Sequence, residues 1–198
     1  MSVPGVPKPG RRAALRALAM AAVVLAVLTL PFQARAGVGT PAEVAAELPN
    51  AKLLGSGRLS FMLMHVYDAR LWGRDSFNAA DHAKTPLALE LEYARPLDGA
   101  MIAERSLVEM KRIGDISDET AQRWLAALKQ ILIDVNKGDR ITAVQVPGIA
   151  ARLFLNGKFS GEVRDAEFTR LFFGIWLSPR TSQPKLREAL LGPARAAS

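Results

Sequence analysis

Cysteine is absent from this 198-residue chain, and histidine occurs only as His65 and His82. Disulfides, thiolate nucleophiles and Cys/His zinc clusters are excluded together, so any chemistry must come from carboxylates, hydroxyls, Arg or Lys. Acidic residues are missing from the first 36 positions, which hold five of the 26 basic ones: Lys8, Arg11, Arg12, Arg16 and Arg35. Setting these aside leaves 21 basic residues against 19 acidic ones, and the overall charge of +7 falls to +2. A charge that small gives the remaining 162 residues no field for binding a polyanion, so no nucleic-acid partner is expected. Glycine (15) and proline (12) punctuate the chain without dominating it, and 49% hydrophobic with 23% charged residues suits one ordinary globular domain rather than a disordered or collagen-like chain.

What is present begins with an export-signal pattern. A basic stretch from Lys8 to Arg16 precedes an apolar run from Ala17 to Phe32, and Ala34-Arg35-Ala36 is the small-x-small sequence that a signal peptidase cleaves. Residues 1–36 are thus expected to be a signal peptide and 37–198 the functional domain, with Gly37 as the mature start. The apolar run falls short of the roughly 20 residues of a bilayer span, although an uncleaved, tilted anchor in the inner membrane is the alternative. Arg11-Arg12 also fits a twin-arginine signal, an export route open to folded proteins. A periplasmic location follows as the expectation.

Behind this address the pattern is α+β. A helix is expected near Pro41 to Leu48, and the β-formers from Ala51 to Trp72 read as two adjacent strands, with Gly55 and Gly57 relieving crowding or marking a bulge. Leu87, Leu89, Leu91 and Tyr93 alternate with Ala88, Glu90 and Glu92, a strand with one dry and one wet face. Asp98 is placed to cap a helix that carries Met101, Ile102, Leu107, Met110 and Ile113 and ends at Gly114. Ser117 or Asp118 caps the next, whose stripe runs through Trp124, Leu125, Leu128, Ile131, Leu132 and Val135. Ile141 to Val146 reads as a strand, and two more flank Asn156-Gly157, a pair that supplies the positive backbone angles of a tight hairpin. Asp165 opens a further helix, and a short one from Gln183 to Leu191 closes the domain.

Few residues suggest catalysis. His65 and Asp68 have opposite parity on a strand, which sends their side chains to opposite faces, and no Gly-x-Ser-x-Gly elbow supplies a nucleophile. His82 lies among polar residues in a loop, where solvation is the plain reading. Glu90 and Glu92, about 7 Å apart on one strand face, could do acid/base work or simply form the wet face. Asp139, in a Gly-Asp turn, is expected to bond local backbone. On the helix after Asp165, Phe168, Phe172 and Trp176 share a face suited to the core, whereas Phe173 points elsewhere, toward a pocket or a lipid surface. Arg180, Lys185 and Arg187 follow and offer peripheral membrane contact with anionic headgroups; a solvated helix end explains them equally.

Leu53-Leu54-Gly55-Ser56-Gly57-Arg58, Val66-Tyr67-Asp68-Ala69-Arg70-Leu71-Trp72, Pro96-Leu97-Asp98-Gly99, Gly138-Asp139, Asn156-Gly157 and Phe172-Phe173-Gly174-Ile175-Trp176-Leu177, in this order, resemble an exported bacterial member of the chalcone isomerase-like family. The resemblance spans about residues 50 to 192. It implies an open-faced β-sandwich in which a large antiparallel sheet is covered by a layer of helices. In the plant isomerases an Arg, a Thr and a Tyr hold the substrate and polarise its ketone. Here Arg58 matches the Arg, but Met62 and Ile102 fall near the Thr and Tyr positions, and neither can donate a hydrogen bond. Loss of such donors costs about 100-fold or more each, which argues against chalcone cyclisation.

The resemblance to the family's non-catalytic, fatty-acid-binding members implies instead that Arg58 and Tyr67 grip the carboxylate of a small amphipathic acid. The acyl tail would occupy an apolar cleft walled by Met62, Met64, Met101 and Met110. No cofactor or metal is implied. The alternatives are an isomerase or lyase acting on an unsaturated carbonyl compound, with Arg58 as electrostatic stabiliser and Tyr67 as acid, and a structural or interaction protein whose cleft its own side chains fill.

Overall fold

The computed structural model describes residues 39–192; the expected export signal lies outside them. Six strands, β1 (Lys52–Phe61), β2 (Met64–Gly73), β3 (Leu87–Tyr93), β4 (Arg140–Val146), β5 (Ala150–Leu155) and β6 (Lys158–Val163), form one antiparallel sheet in sequence order. Among the described residues five α-helices accompany it: α1 (Ala42–Glu47), α2 (Gly99–Ile113), α3 (Asp118–Ile131), α4 (Ala166–Leu177) and α5 (Pro184–Leu191). The α+β architecture is the open-faced arrangement expected. Helices α2 and α3 interrupt the meander between β3 and β4, and α4 and α5 follow β6.

Local chemistry sets these boundaries. Asp98, Ser117 and Asp165 accept hydrogen bonds from Met101 N (3.1 Å), Thr120 N (3.2 Å) and Phe168 N (3.0 Å), each satisfying a donor that a helix start leaves unpaired. Asn156 and Gly157 turn β5 into β6 with φ of 50° and 82°. Asp139 accepts from Asn136 N at 2.7 Å, the local backbone bond expected of it.

Strand alternation divides the sheet into two unlike faces. Ala69, Leu71, Leu87, Leu89, Leu91, Ala143, Ala151 and Leu153 form the core with the helices. Glycine lets α5 lie directly on β1: a Cβ at Gly55 would stand 2.3 Å from the Leu190 carbonyl oxygen, and one at Gly57 would stand 2.8 Å from Leu186 Cδ1. The β1–β2 ladder also shifts register between Leu53 and Gly55, so these glycines serve close approach beside a bulge.

The opposite face is only partly wet. Val44 and Leu48 of the α1 segment cover Trp72, Ala88, Val144 and Phe154. Glu90, expected on the wet side, is 2% exposed and accepts from Trp72 Nε1 (2.8 Å) and Arg70 Nη1 (2.9 Å). Glu92 takes the other Arg70 nitrogen at 2.8 Å, so this carboxylate pair is an ion-pair lattice on a guanidinium. Glu43 accepts from Arg140 Nη2 and Thr142 Oγ1, both at 2.8 Å, which ties α1 to β4.

Helix α4 departs from expectation. Phe173 is fully buried, like Phe168, because α4 packs against α2, α5, β4 and β5 and leaves only Ala166, Glu167 and Arg170 of its first turns exposed. Two of the cations read either as headgroup contacts or as a solvated helix end bond helix ends: Arg180 Nη1 donates to the Ile113 carbonyl and Arg187 Nε to the Leu177 carbonyl, both at 2.8 Å. Among the described residues no helix is long and apolar enough to cross a membrane.

Candidate functional site

A cleft of about 390 Å³ opens between the inner face of the sheet and helices α2 and α4. That is within the usual size range of small-molecule pockets. Leu59, Tyr67, Leu91, Tyr93 and Ile141 supply its floor; Met101, Ile102, Arg105, Ser106 and Glu109 of α2 form one wall; Phe172, Ile175 and Trp176 of α4 form another. The lining is predominantly apolar with a small set of polar groups.

Two phenols sit in the floor. Tyr67 and Tyr93 are cross-strand neighbours with ring centroids 5.8 Å apart, edge to face. The Tyr67 hydroxyl accepts a hydrogen bond from Trp176 Nε1 at 3.0 Å, which leaves its own proton to donate. Burial pushes the Tyr67 phenol up to about 12, with the nearby Glu109 adding to the rise. Burial raises Tyr93 as well, again with a contribution from its neighbouring phenol. Both are therefore neutral donors at ordinary pH, not bases.

The wall carries charge. Arg105 and Glu109, four residues apart on α2, form an ion pair through Arg105 Nη2 and Glu109 Oε1. The Glu109 side chain is buried, and its Oε2 lies 3.4 Å from Arg112 Nε without a hydrogen bond. Two guanidinium groups thus face one carboxylate, Arg105 from the cleft wall and Arg112 from outside the cleft lining. Ser106 gives its hydroxyl to the Ile102 carbonyl at 2.8 Å and so behaves as a helix-wall residue.

Of the two residues expected to bind ligand, only Tyr67 lines the cleft. Arg58 is corrected: it pairs across the ladder with Asp68 and leaves the opposite face, where its Nε donates to Asp68 Oδ1 at 2.8 Å and its side chain is 61% exposed. Strand parity is the reason, since the inward residue beside it is Leu59, the partner of Tyr67. Burial opposes ionisation of Asp68, but Arg58 and His65 outweigh it and hold the carboxyl below its usual range.

The parity argument for His65 and Asp68 fails for a related reason. A register shift between Leu59 and Ser60 leaves Val66 as an extra residue, which turns His65 to the side of Asp68, with 3.3 Å between Nε2 and Oδ1. His82 is half-buried rather than solvated; its Nδ1 lies 3.1 Å from the Ala79 carbonyl, and burial lowers its pKa. Of the four methionines expected as walls, Met101 lines the cleft, Met110 is buried in the core, and Met62 and Met64 are exposed at the β1–β2 turn. Ile102 does line the cleft and brings no donor there. Among the described residues no group of three or more His, Asp or Glu side chains stands where it could hold a metal ion.

The family model for chalcone isomerase-like proteins matches residues 32–192. The chain belongs to the chalcone isomerase-like family. An uncharacterized protein of Haemophilus influenzae is 25% identical over 152 residues, which span 77% of this chain and 73% of that protein. Among solved structures, the Arabidopsis thaliana fatty-acid binding protein matches with a TM-score of 0.57 at 15% identity, over 75% of this chain and 90% of its own. At that identity the likeness establishes the fold.

Sequence reasoning missed Arg105, Glu109 and Tyr93 as cleft residues and assigned Trp176 to the core. The usable signal was the i, i+4, i+8 line of Met101, Arg105 and Glu109, which puts a charged pair beside an apolar stripe on one side of α2.

Proposed function

We propose that this chalcone isomerase-like domain binds a small amphipathic carboxylic acid, such as a fatty acid, in the cleft and does not turn it over. The observation that carries this reading is the pairing of an apolar slot with neutral phenol donors in its floor and the half-exposed Arg105 guanidinium in its wall. The tail supplies affinity at about 0.8 kcal/mol per buried methylene, and the head is oriented by Arg105 and the Tyr67 proton. Arg58 has no part in it. The fatty-acid binding named for the structurally similar Arabidopsis protein supports the same ligand class. The Lys8 to Ala36 pattern makes periplasmic export part of the proposal.

An isomerase reading is weaker. It needs donors on a developing oxyanion, and with Met62 exposed at the hairpin and Ile102 donorless it would have to use Tyr67, Tyr93 or Arg105 in place of the Thr and Tyr that the resemblance implies. The test is extraction of gently purified full-length protein into organic solvent with mass analysis, alongside uptake of a fluorescent fatty acid. Stoichiometric acyl acid in the extract and saturable uptake support binding. An empty extract with no uptake refutes it, and steady conversion of a chalcone panel would replace binding with catalysis.

A further inference from the structure

The β1–β2 hairpin ends in four consecutive apolar residues that the fold leaves in water. Phe61, Met62, Leu63 and Met64 are 62%, 77%, 103% and 47% exposed. Exposed strand ends are usually blunted with charge, and apolar patches of this kind mark interaction sites. Turn geometry does not account for these side chains. Met62 and Leu63 both have positive φ, 47° and 66°, the angles of the Asn156-Gly157 turn at 50° and 82°. The chain therefore makes one such turn with the residues that favour it and the other with two that resist it. Bulky apolar side chains held at a strained tip point to a role for the side chains themselves.

The surroundings identify the partner. Arg95 places Nη1 3.1 Å from Met64 Sδ, and no carboxylate of the described residues lies within ion-pair distance of it. Exposed Met101, at 64%, stands with Phe61 at the mouth of the cleft. An apolar tip flanked by an uncompensated guanidinium matches the two layers of a bilayer surface, acyl chains below and anionic headgroups above. We infer that the Phe61–Met64 hairpin tip docks on an anionic membrane surface, with Arg95 at headgroup level. Because Phe61 and Met101 also line the cleft, docking turns its mouth toward the lipid. That consequence alone rests on the binding function proposed above; docking does not.

The absence of cysteine makes the test direct. In the full chain, Met62→Cys carries an environment-sensitive dye, and Ile149→Cys, at an exposed apolar position in the β4–β5 turn at the other end of the sheet, carries it as control. With phosphatidylcholine vesicles containing a quarter phosphatidylglycerol, the position-62 dye should shift to shorter wavelength, rise severalfold and be quenched by nitroxide-labelled lipid; the position-149 dye should not. Arg95→Gln should then require about fivefold more lipid for the same response. The contrast holds whether or not residues 1–36 anchor the chain. Docking is refuted by equal responses at both positions or by no response at 62. It is also refuted by a position-62 shift that grows with protein concentration without vesicles, which would make a second copy the occupant. Fatty-acid uptake by the same labelled chains, measured without vesicles, reports the cleft separately.

Discussion

The two arginines offer the sharpest discrimination, because one was expected in the cleft and the other is found there. Replacing Arg105 with Met removes the guanidinium while keeping much of its aliphatic bulk. A charge-assisted hydrogen bond contributes about 1.5–3 kcal/mol. The Arg105 side chain is 65% exposed and already shared with Glu109, so solvent screening brings its worth to a ligand down to about 1 kcal/mol. Arg105→Met should therefore weaken binding of a saturated fatty acid about fivefold. Tyr67→Phe, which removes a buried donor, should cost about 1 kcal/mol as well, again about fivefold. Arg58→Met should leave affinity unchanged, since its guanidinium lies on the other face of the sheet.

The tail sets a larger scale. At about 0.8 kcal/mol per methylene, two added carbons should tighten binding about fifteenfold until the cleft is filled. Titration calorimetry over an even-numbered chain-length series, with the four proteins compared, reads both quantities. Parallel chain-length slopes offset by a constant in Arg105→Met are the expected pattern. A loss in Arg58→Met equal to that in Arg105→Met would refute the site assignment, and affinity indifferent to chain length would refute the apolar cleft as the source of binding energy.

Three further outcomes follow from the fold. Gly55→Ala should destabilise the domain by about 3 kcal/mol, the upper end for overpacking, because its Cβ would meet the Leu190 carbonyl at 2.3 Å and Ala189's at 2.5 Å, backbone that cannot rotate aside; urea unfolding measures it. Trp72→Phe should cost about 2 kcal/mol in the same assay, since it removes the indole donor from a buried carboxylate, and Trp72→Phe joined to Glu90→Gln should recover part of the loss. Burial depresses the His82 pKa below 6.5, so the unfolded chain takes the proton first: its contribution is intact above pH 6.5 and lost as pH falls toward the folded value. Thermal scans should show a decline beginning below pH 6.5 that His82→Gln flattens, ahead of the steeper carboxylate losses in stronger acid.

Most of the fold was legible because each element carried its own local signal. Asp98, Ser117 and Asp165 announced helix starts through their side-chain oxygens, Asn156-Gly157 announced a turn, and the period-two run from Leu87 to Tyr93 announced a strand. The site was harder for a physical reason. A cleft wall is made by residues from elements distant in sequence, and its register depends on features that cost one residue. The extra residue at Val66 defeated the parity argument for His65 and Asp68. Family likeness pointed to Arg58, yet on this hairpin Leu59 is the neighbour that pairs with Tyr67 and faces in. Face alternation admits no compromise, since a strand residue one step out of register is on the other side of the sheet. A positive charge at the cleft must then come from the wall, and Arg105 supplies it because α2 presents Met101, Arg105 and Glu109 along one line toward the floor. The apolar floor, by contrast, asks less of each residue, because Leu59, Leu91 and Ile141 need only be apolar and inward. Dispersion and burial are read from composition and period, whereas a directed polar contact is read only once every bulge has been counted.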